Sequence, residues 1–174
     1  MNALATNLSV WAGDKVAVIK IAGRANFTSS VDFKALVHGL RSKGYTRFIL
    51  DLGGCLLMDS TFLGVLAGMG LKFSEARNGE LPAQIELLQP NDRISDLLEN
   101  LGVVHLFTVT RGTSPTGLAP ESMVDLVPAS VDENQVARTC LEAHQTLMDI
   151  NPANIPKFKD VALFLAEDLK RKEK

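Results

Sequence analysis

The chain has 174 residues, 46% of them hydrophobic and 22% charged, with a formal net charge of −2. That length holds one domain with room for an appendage, and that hydrophobic share supplies a core and excludes wholesale disorder. The near-balanced charge excludes a strong field for nucleic acid, so Lys15, Lys20, Arg24, Arg41, Lys43 and Arg47 read as a solvated surface.

The opening MNALATNLSV lacks the basic-then-apolar pattern of a signal peptide. No apolar run approaches the ~18 residues that a membrane span needs. A cytoplasmic protein with no direct membrane insertion is expected. Val10 and Trp11 belong to a short first strand, Gly13-Asp14 to a hairpin turn, and KVAVIKI (15–21) to a second strand. Gly23 to Asn26 reads as a loop, and Thr28, Ser29 or Ser30 as the cap of a helix over 31–42. Phe33, Leu36, Val37 and Leu40 recur there at helical spacing, and Gly44 ends it.

YTRFILDL (45–52) is the clearest strand, and Gly53-Gly54 interrupts it. Phe62, Leu66, Met69 and Phe73 then lie on one helical stripe that ends near Asn78-Gly79. AQIELL (83–88) is a strand. Pro90-Asn91-Asp92 opens a helix carrying Ile94, Leu97, Leu98 and Leu101, and 103–109 reads as a last strand. Strands alternating with helices predict an α/β fold: a mixed sheet with helices packed on it.

After Arg111 the texture becomes rich in Gly, Pro, Ser and Thr. The expected organisation is a domain over 1–112, a linker over 113–129 and a C-terminal helical extension over 130–174. In the extension, Ser130 to Glu133 has capping-box spacing, and Val136, Cys140, Leu141, Leu147 and Met148 form a stripe. Asn151-Pro152 breaks that helix. Phe158, Val161, Leu165 and Leu169 mark a second one, expected to pack on the first and on the sheet domain.

The junction Met58-Asp59-Ser60-Thr61 separates two apolar runs. Asp, Ser and Thr are favoured helix N-caps, because their side-chain oxygens accept from the unpaired N–H groups of the first turn. A serine there is also an exposed hydroxyl that a phosphate would convert into a charged group. The local pattern leaves both roles open. Gly64 and Gly68, four apart, suit close approach to the sheet or to a partner.

Other chemistry is sparse. Cys55 and Cys140 have no paired spacing, and Cys55 reads as a buried small hydrophobe. His38, His105 and His144 sit in three segments without metal-ligand spacing. No phosphate-cradling Gly-rich loop is present, and Ser60 has no local base. No cofactor, metal site or enzymatic activity is expected.

DLGGCLLMDSTFLGVLAG (51–68) resembles the signature of STAS domains, particularly those of bacterial anti-sigma factor antagonists. GRANFTSS (23–30) resembles the loop before that fold's first helix, and the similarity runs over about residues 7–110. The resemblance implies a binding module that sequesters an anti-sigma factor serine kinase and is switched when that kinase phosphorylates Ser60. Thr61 is a secondary candidate. Asn26, Asp59, Ser60, Thr61 and Phe62 are the implied partner-binding residues. Two features depart from the family: Thr61-Phe62 stands where Ser-Gly is usual after the key serine, and Asn26 stands where an aspartate is common. Phe62 is expected to offer an aromatic ring to the partner, and the C-terminal helices to leave the Ser60 surface open. A phosphatase and a homodimer are further partners the reading admits. The alternative is a non-phosphorylated structural STAS subunit of a transporter or stress-signalling assembly.

Overall fold

A computed structural model describes residues 5–75, 79–112 and 120–174. Its spine is the long strand β2 (Val16–Ala25), which pairs along its two halves with different neighbours. β1 (Asn7–Gly13) runs antiparallel to β2, with Asn7 opposite Ala22 and Gly13 opposite Val16. The hairpin turn is therefore Asp14-Lys15, one residue later than expected. Both residues have positive φ (52° and 67°), as a two-residue turn matched to strand twist requires.

The first half of β2 pairs in parallel with β3 (Arg47–Asp51), and the second half with β4 (Cys55–Met58). β4 was not expected. Its four residues are all apolar, so they carry no alternation to mark a strand. Beyond β3 lie β5 (Gln84–Leu88) and β6 (Thr108–Thr110), both parallel. The segment before β6, read as strand from Val103, is instead a 3₁₀ turn over Val104–Leu106. β7 (Val124–Asp125) pairs antiparallel with β1, at the other edge. The order is thus β6-β5-β3-β2-β1-β7, with β4 beside β2. β7 falls inside the segment expected as linker, whose residues 113–119 lie outside those described. Asn78, read near a helix end, does too.

The helices are α1 (Phe27–Ser42), α2 (Ser60–Ser74), α3 (Asp92–Asn100), α4 (Glu133–Ile150) and α5 (Ile155–Lys172). Each of the first four begins at an Asn or Asp cap. Asn26 closes a reciprocal capping box with Ser29, so α1 starts four residues before the predicted Val31. Asn91 caps α3 and also donates to the carbonyls of Cys55 and Leu56, fixing α3 against β4. Asp132, rather than Ser130, caps α4.

The main core lies between the sheet and α1/α2. Ala17, Ile19, Ile21, Phe48, Leu50 and Leu87 meet Phe33, Val37, Phe62, Leu63 and Leu66 there. Val18, Ile49 and Leu88 form a smaller cluster with Trp11 and Met123. α2 is buried nearly all round, including Leu63, Gly64, Val65 and Ala67 off the predicted stripe. The reason is a further layer: α4 packs on α2 and α1, and α5 packs on α4. No helix among the described residues is long and apolar enough to cross a membrane.

Phe62 is fully buried, its ring 4.8 Å from that of Phe33. This corrects the expectation of an aromatic ring offered to a partner. A ring at that helix position points between α2 and α1, where burial is worth about 1.5–3 kcal/mol. Phe62→Ala is expected to cost about 3–5 kcal/mol in denaturant unfolding through the cavity it leaves.

Candidate functional site

β4 ends at Met58 and α2 begins at Ser60, so Asp59 is the single residue between strand and helix. Its backbone N–H donates to the carbonyl of Ala25, the last residue of β2 (2.9 Å). Its side chain does two jobs. Oδ1 accepts from the N–H of Phe62 (2.8 Å), capping α2. Oδ2 accepts from the N–H of Phe27 (2.6 Å), the first residue of α1. One carboxylate thus ties two helix N-termini together, where both helix dipoles favour negative charge. Burial pushes the Asp59 carboxyl up from its ordinary range, against the N–H groups of Phe62, Phe27 and Thr61 and the nearby His144.

Ser60 follows in the first turn of α2. Its Oγ lies 3.0 Å from His144 Nε2 on α4. With a neutral imidazole this is one hydrogen bond: either Oγ–H donates to Nε2, or Nε2–H donates to Oγ. His144 is 6% exposed, and the ring of Phe158 on α5 stacks on it at 4.9 Å. Its Nδ1 is buried and turned toward the Cys140 carbonyl one turn back, outside ordinary hydrogen-bond geometry. Burial holds the imidazole below its ordinary 6.5, with Asp59 and the Cys140 carbonyl pulling the other way.

Thr61 is 5% exposed, and its Oγ1 reaches Cys140 Sγ at 3.6 Å. Burial raises the thiols of both Cys140 and Cys55, so neither is poised as a thiolate. One turn further along, Gly64 faces α4 rather than the sheet. A Cβ there would lie 2.5 Å from the Ala143 carbonyl oxygen and 2.7 Å from the Ala143 methyl. At the rim, Lys34 and Glu142 form an ion pair at 2.9 Å, with both side chains partly in solvent, worth at most about 1 kcal/mol.

The fold therefore brings Asn26, Asp59 and Ser60 to one corner, with Asn26 and Asp59 as the paired caps of α1 and α2. Thr61 and Phe62 point inward. The expectation that the C-terminal helices leave Ser60 open holds only in part: Ser60 is half-buried, with His144 of α4 against its hydroxyl. His144, Cys140 and Ala143 complete the corner, and local sequence spacing gave no sign of them. The Ser60–His144 pair has the first two members of a nucleophile–base array, but no carboxylate meets His144 Nδ1. The adjacent groove, lined by Lys34, His38, Gly64, Lys72 and Glu142 among others, does not include Ser60. No cluster suited to a metal ion occurs among the described residues.

This architecture is the STAS-type α/β fold, the fold of the anti-sigma factor antagonists. A Thermotoga maritima protein assigned to that class superposes with a TM-score of 0.51 at 21% identity, covering 61% of this chain and 87% of its own. The anti-sigma factor antagonist from Mycobacterium paratuberculosis gives 0.52 at 13% identity, covering 63% and 88%. The anti-sigma factor antagonist SpoIIAA in its unphosphorylated form gives 0.50 at 17%, covering 62% and 89%. At these identities the likeness is one of fold. The sequence itself matches no family model and no curated protein.

Two outcomes follow from the corner. Asp59→Ala is expected to destabilise the chain by about 2 kcal/mol, the upper end for a lost cap, while Asp59→Asn, which keeps an acceptor, loses less in the same chemical melts. The second concerns pH. Unfolded His144 takes a proton near 6.5, and the buried ring resists it. The stability tied to neutral His144 is present above that pH and lost as pH falls below it. Thermal melts of the wild type are expected to weaken between pH 7.5 and 5.5 more than those of His144→Gln. His38, also held low by burial and by Lys34 and Lys72, contributes equally to both proteins.

Proposed function

We propose that the chain is an anti-sigma factor antagonist: a binding module, not an enzyme, that sequesters an anti-sigma factor serine kinase and releases it on phosphorylation of Ser60. The observation that carries this reading is Ser60 itself, a hydroxyl in the first turn of a helix, directly after an aspartate cap, in a fold shared with anti-sigma factor antagonists. One of those proteins has been solved explicitly in an unphosphorylated form. Thr61 is less suited to be the phosphosite, because its hydroxyl is turned into the α2–α4 contact. Asn26 and Asp59 act as the frame of the partner-binding corner; Thr61 and Phe62 act from beneath it.

The switch has a physical basis. A phosphate on Ser60 brings about −1.5 to −2 charges at neutral pH. One first-turn donor of α2 that a phosphate could use, the Phe62 N–H, is already taken by Asp59. The new charge would then face the Asp59 carboxylate, and repulsion would act on any partner seated at the corner. A phosphatase would reset the site. In this reading the body is 1–112, the extension 130–174, and the protein works in the cytoplasm without binding nucleic acid.

A second reading, a non-phosphorylated structural STAS subunit of a transporter or stress-signalling assembly, is favoured by one observation: Ser60 is half-buried and its hydroxyl is bonded to His144.

Incubation with the cognate serine kinase and ATP distinguishes the two. Intact-mass analysis is expected to find one added phosphate, absent in Ser60→Ala, and Ser60→Asp is expected to weaken the kinase complex at least about fivefold by calorimetry. Labelling unchanged in Ser60→Ala excludes the assignment. No labelling at all favours the structural subunit.

A further inference from the structure

We propose that α4 and α5 form an intramolecular cover over the switch corner, and that Ser60, half-buried beneath it, offers its Oγ fully to a kinase only when α4 lifts from α2. The regulatory meaning of this rests on the function proposed above; the cover itself is a matter of geometry.

The atom a kinase must reach is Ser60 Oγ. In-line attack on a phosphoryl group needs open space along the Oγ direction, together with room for the base that takes the hydroxyl proton. That space holds the His144 imidazole, 3.0 Å away, and His144 is held down by Phe158 from α5. Next to His144, Ala143 sits against the backbone of Gly64 so closely that a Cβ there would lie 2.5 Å from the Ala143 carbonyl oxygen.

The α2–α4 contact mixes polar and apolar groups. Ala143 and Leu147 join the main core, but Thr61, Thr139 and His144 are buried beside them, with Cys140 half-buried at the edge. His144 Nδ1 is buried there without a hydrogen-bond partner, and water would supply one if the helix lifted.

The hairpin has an axis to turn about. Asn154, fully buried at the α4–α5 corner, donates through Nδ2 to the carbonyls of Leu101 at the end of α3 and Leu147 on α4. Lys157 adds a bond to the Asn100 carbonyl. At the opposite end, residues 127–135 are all exposed. The α4 C-terminus is thus pinned to the body while its N-terminus is not, which suits a swing about the Asn154 corner. A kinase engaging α2 would take the face that α4 leaves, so covering and binding exclude one another.

The test uses the full chain with Ser60→Cys in a Cys55→Ala/Cys140→Ser background, probed with a small thiol-reactive reagent under native conditions. The parent is expected to label slowly. Adding Ala143→Leu, which cannot sit against Gly64, is expected to speed labelling about tenfold or more while the body still melts cooperatively. Phe158→Ala, which only removes the ring behind His144, serves if Ala143→Leu does not fold, and is expected to act in the same direction. Equal labelling in the parent and the folded variant overturns the cover. Phosphorylation of the same variants with Ser60 restored separates the two ideas. If labelling accelerates but neither protein accepts phosphate, the cover stands and the proposed switch fails. If phosphate is accepted at equal rates and labelling is equal too, the switch stands and the cover fails.

Discussion

The Asp59 carboxylate is the constraint from which the corner is built. Two βα junctions, β2–α1 and β4–α2, end side by side, and each leaves N–H groups unpaired at the start of its helix. A single side chain satisfies one from each. Its own N–H bonds back to Ala25, closing the arrangement onto the end of β2. Because β4 pairs with the distal half of β2, any shift in that register would carry Asp59 away from Phe27. The position of Ser60 is therefore set by strand pairing rather than by a loose loop, and its hydroxyl inherits the rigidity of the sheet.

The second organising fact is that α2 is a two-sided helix. One side meets the sheet and α1 through Phe62, Leu63 and Leu66. The other meets α4 at Gly64, where the two backbones come close. Each glycine costs roughly 1 kcal/mol of helix propensity relative to alanine. Here that loss is offset by close packing of a second helix. The same closeness brings His144 to Ser60, so the geometry that stabilises the extension also covers one side of the hydroxyl.

Much of the fold was legible. The Val/Ile-rich, imperfectly alternating KVAVIKI marked β2 and the apolar YTRFILDL marked β3, and the Asn-Asp and Asp-Ser junctions marked the starts of α3 and α2. The failures have physical causes. Cys55–Met58 is apolar throughout, so nothing local distinguishes a short strand from a link. α1 begins at Asn26 because its side chain and that of Ser29 satisfy each other, and three later hydroxyl residues masked this. Asp59 and Ser60 were legible as a helix start, and Asn26 entered the site only through the family resemblance. Their cover was not legible, since His144 meets Ser60 across 84 positions of chain. One signal was available: α2 carries a single charge, Lys72, and a helix apolar all round must be covered on both sides.

β7 gives this arrangement a further property. It fastens the connection to the sheet edge, through Ser9 Oγ–H donating to Asp125 at 2.8 Å and Leu126 N–H to the Leu8 carbonyl. Only residues 126–132 then separate the fastened strand from the first turn of α4. A tether that short keeps α4 near α2 at an effective concentration on the millimolar scale even when undocked. A free competitor at micromolar abundance meets that local excess at every encounter. Its affinity for the bare face must exceed that of α4 by about the ratio of the two concentrations, roughly a thousandfold. Detaching β7 from β1 would leave the Asn154 corner as the remaining hold on α4 and lower that threshold without altering any residue of the switch corner itself.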